Sequence, residues 1–227
     1  MNTAVPTKTP KGVTPVAEIR KALGDAGVFA VNLIGGPGCG KTTLVDQTID
    51  RLRPHVRIGV IAADLRTRRD ADRIARHGVQ VVQVNTGDEP CLDAPQVLKA
   101  INALDLKSLD LLFIENVGAL TVPKAARRLG QNATVTVFSV AAGDDKAQKH
   151  QDLVEATDAV VLSKTDLLSA IPFDLAAFRE DVRRANPSAE LVELSATTGP
   201  GINRWCEWLA RKVNKRCDCD DASHWFG

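Results

Sequence analysis

Apolar residues along this chain come in short runs, separated by longer stretches in which they recur every three or four positions. The runs at residues 28–34 (broken only by Asn32), 57–63, 80–84, 110–114, 134–140, 159–162 and 190–194 have strand length, and near-continuous apolar runs suit strands covered on both faces of a parallel sheet. The stretches at 42–53, 67–76, 94–104, 145–156, 175–186 and 201–214 carry helical spacing, and residues 16–26 make a further short helix that Gly27 closes. This repeated strand, helix, strand order predicts a doubly wound, mostly parallel α/β sheet with right-handed crossovers. Residues 1–14 read as a flexible lead, 15–214 as one domain, and 215–227, rich in Asp, Cys and His, as an appended tail.

The first strand runs into Gly35-Gly36-Pro37-Gly38-Cys39-Gly40-Lys41-Thr42, which fits G-x-x-x-x-G-K-[ST] in the strand-to-helix setting that this phosphate-binding loop needs. Glycines let the backbone curl so that successive N–H groups face phosphate oxygens, and the following helix adds its positive end. Lys41 is expected to reach the β and γ phosphates and the Thr42 hydroxyl to coordinate Mg²⁺, with Thr43 next in the same cradle. Cys39 contributes backbone only.

Two later strand ends choose the base. Ser163-Lys164-Thr165-Asp166 follows residues 159–162, and Ser195-Ala196 follows 190–194, in the order of the two segments that build a guanine pocket in GTPases. An aspartate accepts hydrogen bonds from the N1–H and exocyclic amine of guanine, which adenine does not offer, and the stem of Lys164 packs over the ring. Ser163 stands where Asn is usual, so the tie between this segment and the phosphate loop is expected to be weakened. Read alone, the same four residues are also compatible with a capped helix start.

Asp64 and Glu115 each follow an apolar strand, where ligands bind in such sheets. Asp64 is a candidate Mg²⁺ partner or water-orienting group. Glu115 is a candidate holder of Mg²⁺, and the N–H of Gly118 is a candidate contact to the γ phosphate. Either acid could instead cap a helix.

Composition acts mainly by exclusion. The 29 Lys and Arg nearly cancel the 28 Asp and Glu, so no global field invites nucleic acid or an anionic membrane. The first residues hold no apolar stretch of the secretory or anchoring kind, and a cytoplasmic location is expected. The 5 cysteines, at 39, 91, 206, 217 and 219, read as reduced thiols and not as a disulfide framework. His55, His77 and His150 have no second donor nearby in sequence and read as surface or capping residues.

Together these motifs resemble the hydrogenase nickel-incorporation GTPases (HypB), relatives of the urease accessory GTPase (UreG). The likeness rests on Asn32-Leu33-Ile34-Gly35 with the phosphate loop, Asp64 with Thr67 and Asp70-Ala71-Asp72-Arg73-Ile74, Asn85-Thr86-Gly87, Leu92-Asp93-Ala94, Phe113 to Gly118, Gly143-Asp144-Asp145-Lys146 and Ser195 to Gly199. The resemblance implies a SIMIBI-like P-loop GTPase that uses GTP/GDP and Mg²⁺. It implies a homodimer formed on GTP binding, with Lys146 near the partner's nucleotide. It also implies slow hydrolysis that gates nickel delivery to a client, the hydrogenase large subunit, or to a second nickel chaperone.

The likeness fails at the metal. That family usually places Cys-His before Leu-Asp-Ala and a further Cys before a later proline. Here Pro90-Cys91 fills the first pair and Val122 precedes Pro123, so one donor position remains. Cys217, Cys219 and His224 of the tail are candidates for a relocated Ni²⁺ or Zn²⁺ site, and Trp225-Phe226 for a docking anchor. Three readings stay open: a metal-delivering GTPase, a diverged paralogue that switches without carrying metal, and a small-molecule kinase whose acceptor lid would use Arg66, Arg68, Arg69 and Arg73.

Overall fold

The computed structural model describes residues 14–64, 69–87, 91–116, 118–122 and 127–217, with the backbone alone at 64, 69–71 and 214–217. Seven strands form one sheet: β1 (Phe29–Gly35), β2 (Ile58–Asp64), β3 (Gln80–Asn85), β4 (Leu111–Glu115), β5 (Ala133–Ser139), β6 (Ala159–Ser163) and β7 (Glu190–Glu193), in the order β3-β2-β4-β1-β5-β6-β7. Every ladder between these strands is parallel. The apolar runs account for it: β1, β4, β5 and β6 are buried at every position, because helices cover both faces.

One face packs against α2 (Lys41–Leu52), α3 (Arg69–Ala75) and α8 (Ile202–Cys217). Val31, Leu33, Val135 and Val161 of the strands meet Leu44, Ile49, Ile74, Trp205 and Leu209 there. Trp205 is fully buried, and its Nε1–H donates to Thr48 Oγ1 at 2.8 Å, fixing α8 to α2. The other face is covered by α1 (Pro15–Ala26) and α4 (Ala94–Ile101) under β2 and β4. Under β5 and β6 it is covered by α5 (Lys146–Lys149), α6 (Gln151–Val154) and α7 (Leu175–Ala185). Local chemistry sets the ends. Thr14 accepts from Ala17 N–H, Pro15 opens α1, and Gly27 closes it at φ 72°, a left-handed conformation suited to glycine. Asp93 and Gln96 form a reciprocal capping box on α4.

The element bounds depart from the sequence reading in three places. The helix expected over 145–156 is two short ones, broken at His150 (φ −121°, ψ 42°). The break lets Leu153 join Ile34 and Val122 while Ala147 and Val154 stay with Phe138 and Phe178. The helix expected over 94–104 ends at Ile101; of the one expected over 67–76, Arg69–Ala75 is described and residues 65–68 lie outside the described ones. The last helix continues through Cys217 instead of ending at 214. Residues 1–13 and 218–227, with Cys219 and His224, lie outside the described residues.

Candidate functional site

Because all seven strands run the same way, the segments that follow β1, β2, β4, β6 and β7 emerge at one edge. The chain leaves β1 toward β2 on one side and later reaches β5 on the other, so this edge holds the crevice where ligands bind in open α/β sheets. There the phosphate loop turns through Gly38 (φ 68°) and Gly40 (φ 94°) into α2. Lys41 is 7% exposed and folds back, its Nζ donating to the carbonyls of Gly35 at 3.0 Å and Gly36 at 3.4 Å. The ammonium is thus held within the loop it is expected to serve. Cys39 lies beneath, where burial pushes its thiol above the usual range, so it supplies no nucleophile at neutral pH.

Beside the loop, the Thr42 hydroxyl donates to Glu115 Oε1 at 2.5 Å. A hydroxyl and a buried carboxylate side by side are oxygen donors of the kind that Mg²⁺ takes, so the residues present fit that ion. Asp64 ends β2, two residues beyond Ala62, the register partner of Glu115; its side chain lies outside the described residues. Gly118 packs so closely on Pro37 that a Cβ would lie 2.9 Å from Pro37 Cα, which places its backbone against the phosphate loop. Lys146 and Lys164 line a cavity of about 480 Å³ with Gly36, Pro37, Cys39 and Leu120. Lys146 therefore sits beside the loop of its own chain.

On the base side, Lys164 adopts a left-handed backbone (φ 59°), which turns the chain sharply out of β6. Ser195 Oγ donates to Asp166 Oδ1 at 2.5 Å and accepts from the N–H groups of Thr198 at 3.1 Å and Thr197 at 3.3 Å, so the two guanine-pocket segments are locked together. The tie expected to be weakened at Ser163 is instead made: its Oγ donates to the Cys39 carbonyl at 2.6 Å, and the residue is buried. The shorter side chain reaches because β6 brings its Cα close over the loop.

Of the transition-metal candidates, Cys219, His224 and the side chain of Cys217 lie outside the described residues, and Cys91 is the one whose surroundings are described. Cys91 is half-buried against an apolar cluster of Ile34, Val122, Leu153, Ala119 and Leu120. Among the described residues no three His, Cys, Asp or Glu side chains are placed to hold a metal ion. Cys206 is buried, its thiol pushed up to about 12 by burial, and serves packing. Sequence reasoning missed a polar cluster behind the site. Arg73, a candidate acceptor-lid residue in the kinase reading, turns to α2, where Asp46 accepts from its Nη2 at 2.6 Å and Nε at 3.1 Å. His77, read as a surface residue, also reaches Asp46, through Nε2 at 2.7 Å. The available signal was the Asp46 and Asp50 pair, four residues apart on one helix face.

These features define a P-loop nucleotide-binding protein with a parallel doubly wound sheet. The family model "CobW/HypB/UreG, nucleotide-binding domain" matches residues 29–193. A probable hydrogenase maturation factor HypB of Methanocaldococcus jannaschii is 40% identical over 196 residues, 86% of this chain and 88% of that protein. The chain belongs to this family. Hydrogenase maturation factor HypB of Azotobacter chroococcum is 42% identical over 200 residues; the match takes 88% of this chain but 65% of that longer protein. The crystal structure of HypB from Helicobacter pylori in complex with nickel superposes with a TM-score of 0.83 at 30% identity, covering 88% of this chain and 94% of that one.

Proposed function

We propose that this chain binds GTP with Mg²⁺, hydrolyses it to GDP and phosphate, and uses the cycle in assembling a metalloenzyme, a nickel hydrogenase by kinship. The observation that carries the reading is the shared edge: phosphate loop, Thr42 with Glu115, and Asp166 locked to Ser195 all stand at the same ends of parallel strands. When nucleotide enters, Lys41 exchanges two loop carbonyls for phosphate oxygens, and Asp166 accepts from the guanine edge. Thr42 and Glu115 would hold Mg²⁺, which neutralises charge on the phosphates when bound; Asp64 would orient the attacking water. Among the described residues no helix is long and apolar enough to cross a membrane.

Nickel is cargo in this scheme, and GTP closes a homodimer that hydrolysis reopens, with a hydrogenase large subunit or a second chaperone as receiver. The apolar seat of Cys91 favours a second reading, a GTP switch that carries no metal itself. Size-exclusion light scattering with GDP and then with a non-hydrolysable GTP analogue, with nickel counted in the same fractions, separates the two. A dimer with nickel supports delivery; a dimer without nickel supports the bare switch. A monomer in both nucleotides would sink the dimer model.

A further inference from the structure

The helix that carries the phosphate loop also presents Thr43, Asp46 and Asp50 along one face, and the element facing it is α3, the first helix after Asp64. Five side chains meet there. Asp46 Oδ2 accepts from Arg73 through Nη2 at 2.6 Å and Nε at 3.1 Å, and Asp46 Oδ1 is 2.7 Å from His77 Nε2. His77 Nδ1 lies 3.1 Å from Asp50 Oδ1, so one ring bridges two carboxylates. Arg73 Nη1 reaches past Asp46 to Thr43 Oγ1 at 3.4 Å, one residue from the expected Mg²⁺ ligand.

This is more than a surface ion pair. The Asp46 and His77 side chains are 13% and 16% exposed, and Asp46 is gripped on both oxygens from the same neighbouring segment. Burial alone would raise the Asp46 carboxyl. The hydrogen bonds from His77 and then Arg73 outweigh it and hold the group below the usual carboxylate range. Ile74, fully buried next to Arg73, keys α3 into the core beneath the cluster. The fork of Arg73 is suited to this task because its nitrogens can engage Asp46 twice and Thr43 once in one plane.

We propose that Arg73, Asp46 and His77 are positioning residues for hydrolysis. They brace α3 against the first turns of α2, so the turn that carries Lys41, Thr42 and Thr43 is held in place. Nucleotide binding uses the loop and the guanine pocket, neither of which the brace touches apart from Thr43. Turnover needs Lys41 and Thr42 set against the phosphates, and there the brace acts, through Thr43. The inference rests on the GTPase reading and deepens it.

The test measures GTP hydrolysis by the full chain and by R73A, R73K, D46N and H77Q, at temperatures well below each variant's melting midpoint. For R73A and D46N, kcat is expected to fall about 10- to 100-fold while KM for GTP changes by less than about threefold, the pattern of a misplaced catalytic group. R73K, which keeps the charge but not the fork, should fall between wild type and R73A; H77Q should lose less than D46N. Unchanged kcat with only a lower melting midpoint would reduce the cluster to a structural tie and overturn the proposal. So would a rise in KM at constant kcat. A second readout does not depend on turnover: hydrogen exchange of the α3 amides with and without a non-hydrolysable GTP analogue. Nucleotide should slow α3 exchange in wild type and not in R73A. If wild type hydrolyses nothing, the GTPase reading fails and this arm alone decides the brace; no nucleotide effect on α3 would overturn it.

Discussion

The nucleotide edge and the apolar cluster around Cys91 share Leu120, yet they are built by different rules. At the edge, Lys41, Thr42, Glu115, Ser163, Asp166 and Ser195 each meet a polar partner within 3.5 Å. Such preorganisation leaves the groups aimed before any ligand arrives, and it lowers the cost of assembling them. Cys91 packs against the aliphatic side chains of Ile34, Val122, Leu153, Ala119 and Leu120, where a thiol gains from dispersion. A soft-metal site needs several donors at set distances, so one thiol does not by itself make one.

Four substitutions probe that contrast. The largest effect is expected for K41A. Removing the ammonium from the phosphates should lower kcat/KM for GTP by about 10³-fold, as for loss of a preorganised charged donor, and phosphate release measures it. D166N comes next. It exchanges an acceptor for an amide that can donate, so GTP should bind about 100-fold more weakly and xanthosine triphosphate, which offers a carbonyl where guanine has its amine, should gain; titration of both nucleotides checks the pair. An unchanged preference for GTP would mean that the base is read elsewhere.

S163A should act on the scaffold more than on the ligand. It leaves the Cys39 carbonyl without its 2.6 Å donor in a buried place, at a stability loss of about 1–2 kcal/mol, read from denaturant midpoints. The smallest effect is predicted for C91A, which should cost about 1 kcal/mol or less in stability and leave GTP affinity and turnover as they were. If C91A instead strips nickel from the purified dimer, the two regions are one functional unit and the contrast drawn above is broken.

Most of the fold and the nucleotide site was legible in the order of residues. The apolar runs marked all seven strands to within a residue or two at each end, because a strand buried on both faces has to be apolar throughout. The phosphate loop and the guanine segment were legible because their chemistry depends on consecutive residues. The broken helix at His150 was not: helical spacing over 145–156 is real, but two separate apolar clusters compete for its side chains. Nor was the strength of the Ser163 tie, which depends on the distance between a strand end and a loop 124 positions apart.

By itself the sequence determined the class of fold, the parallel order of its elements and the nucleotide-binding loop, since local pattern and contiguous motifs carry those. Only the tertiary structure decided that Ser163 still clasps the phosphate loop, that Cys91 sits among aliphatic side chains, and that Arg73 and His77 turn inward onto Asp46. Each of these is a contact between residues distant along the chain. Its existence depends on how helices settle on the sheet, a matter of packing that no local window of residues encodes.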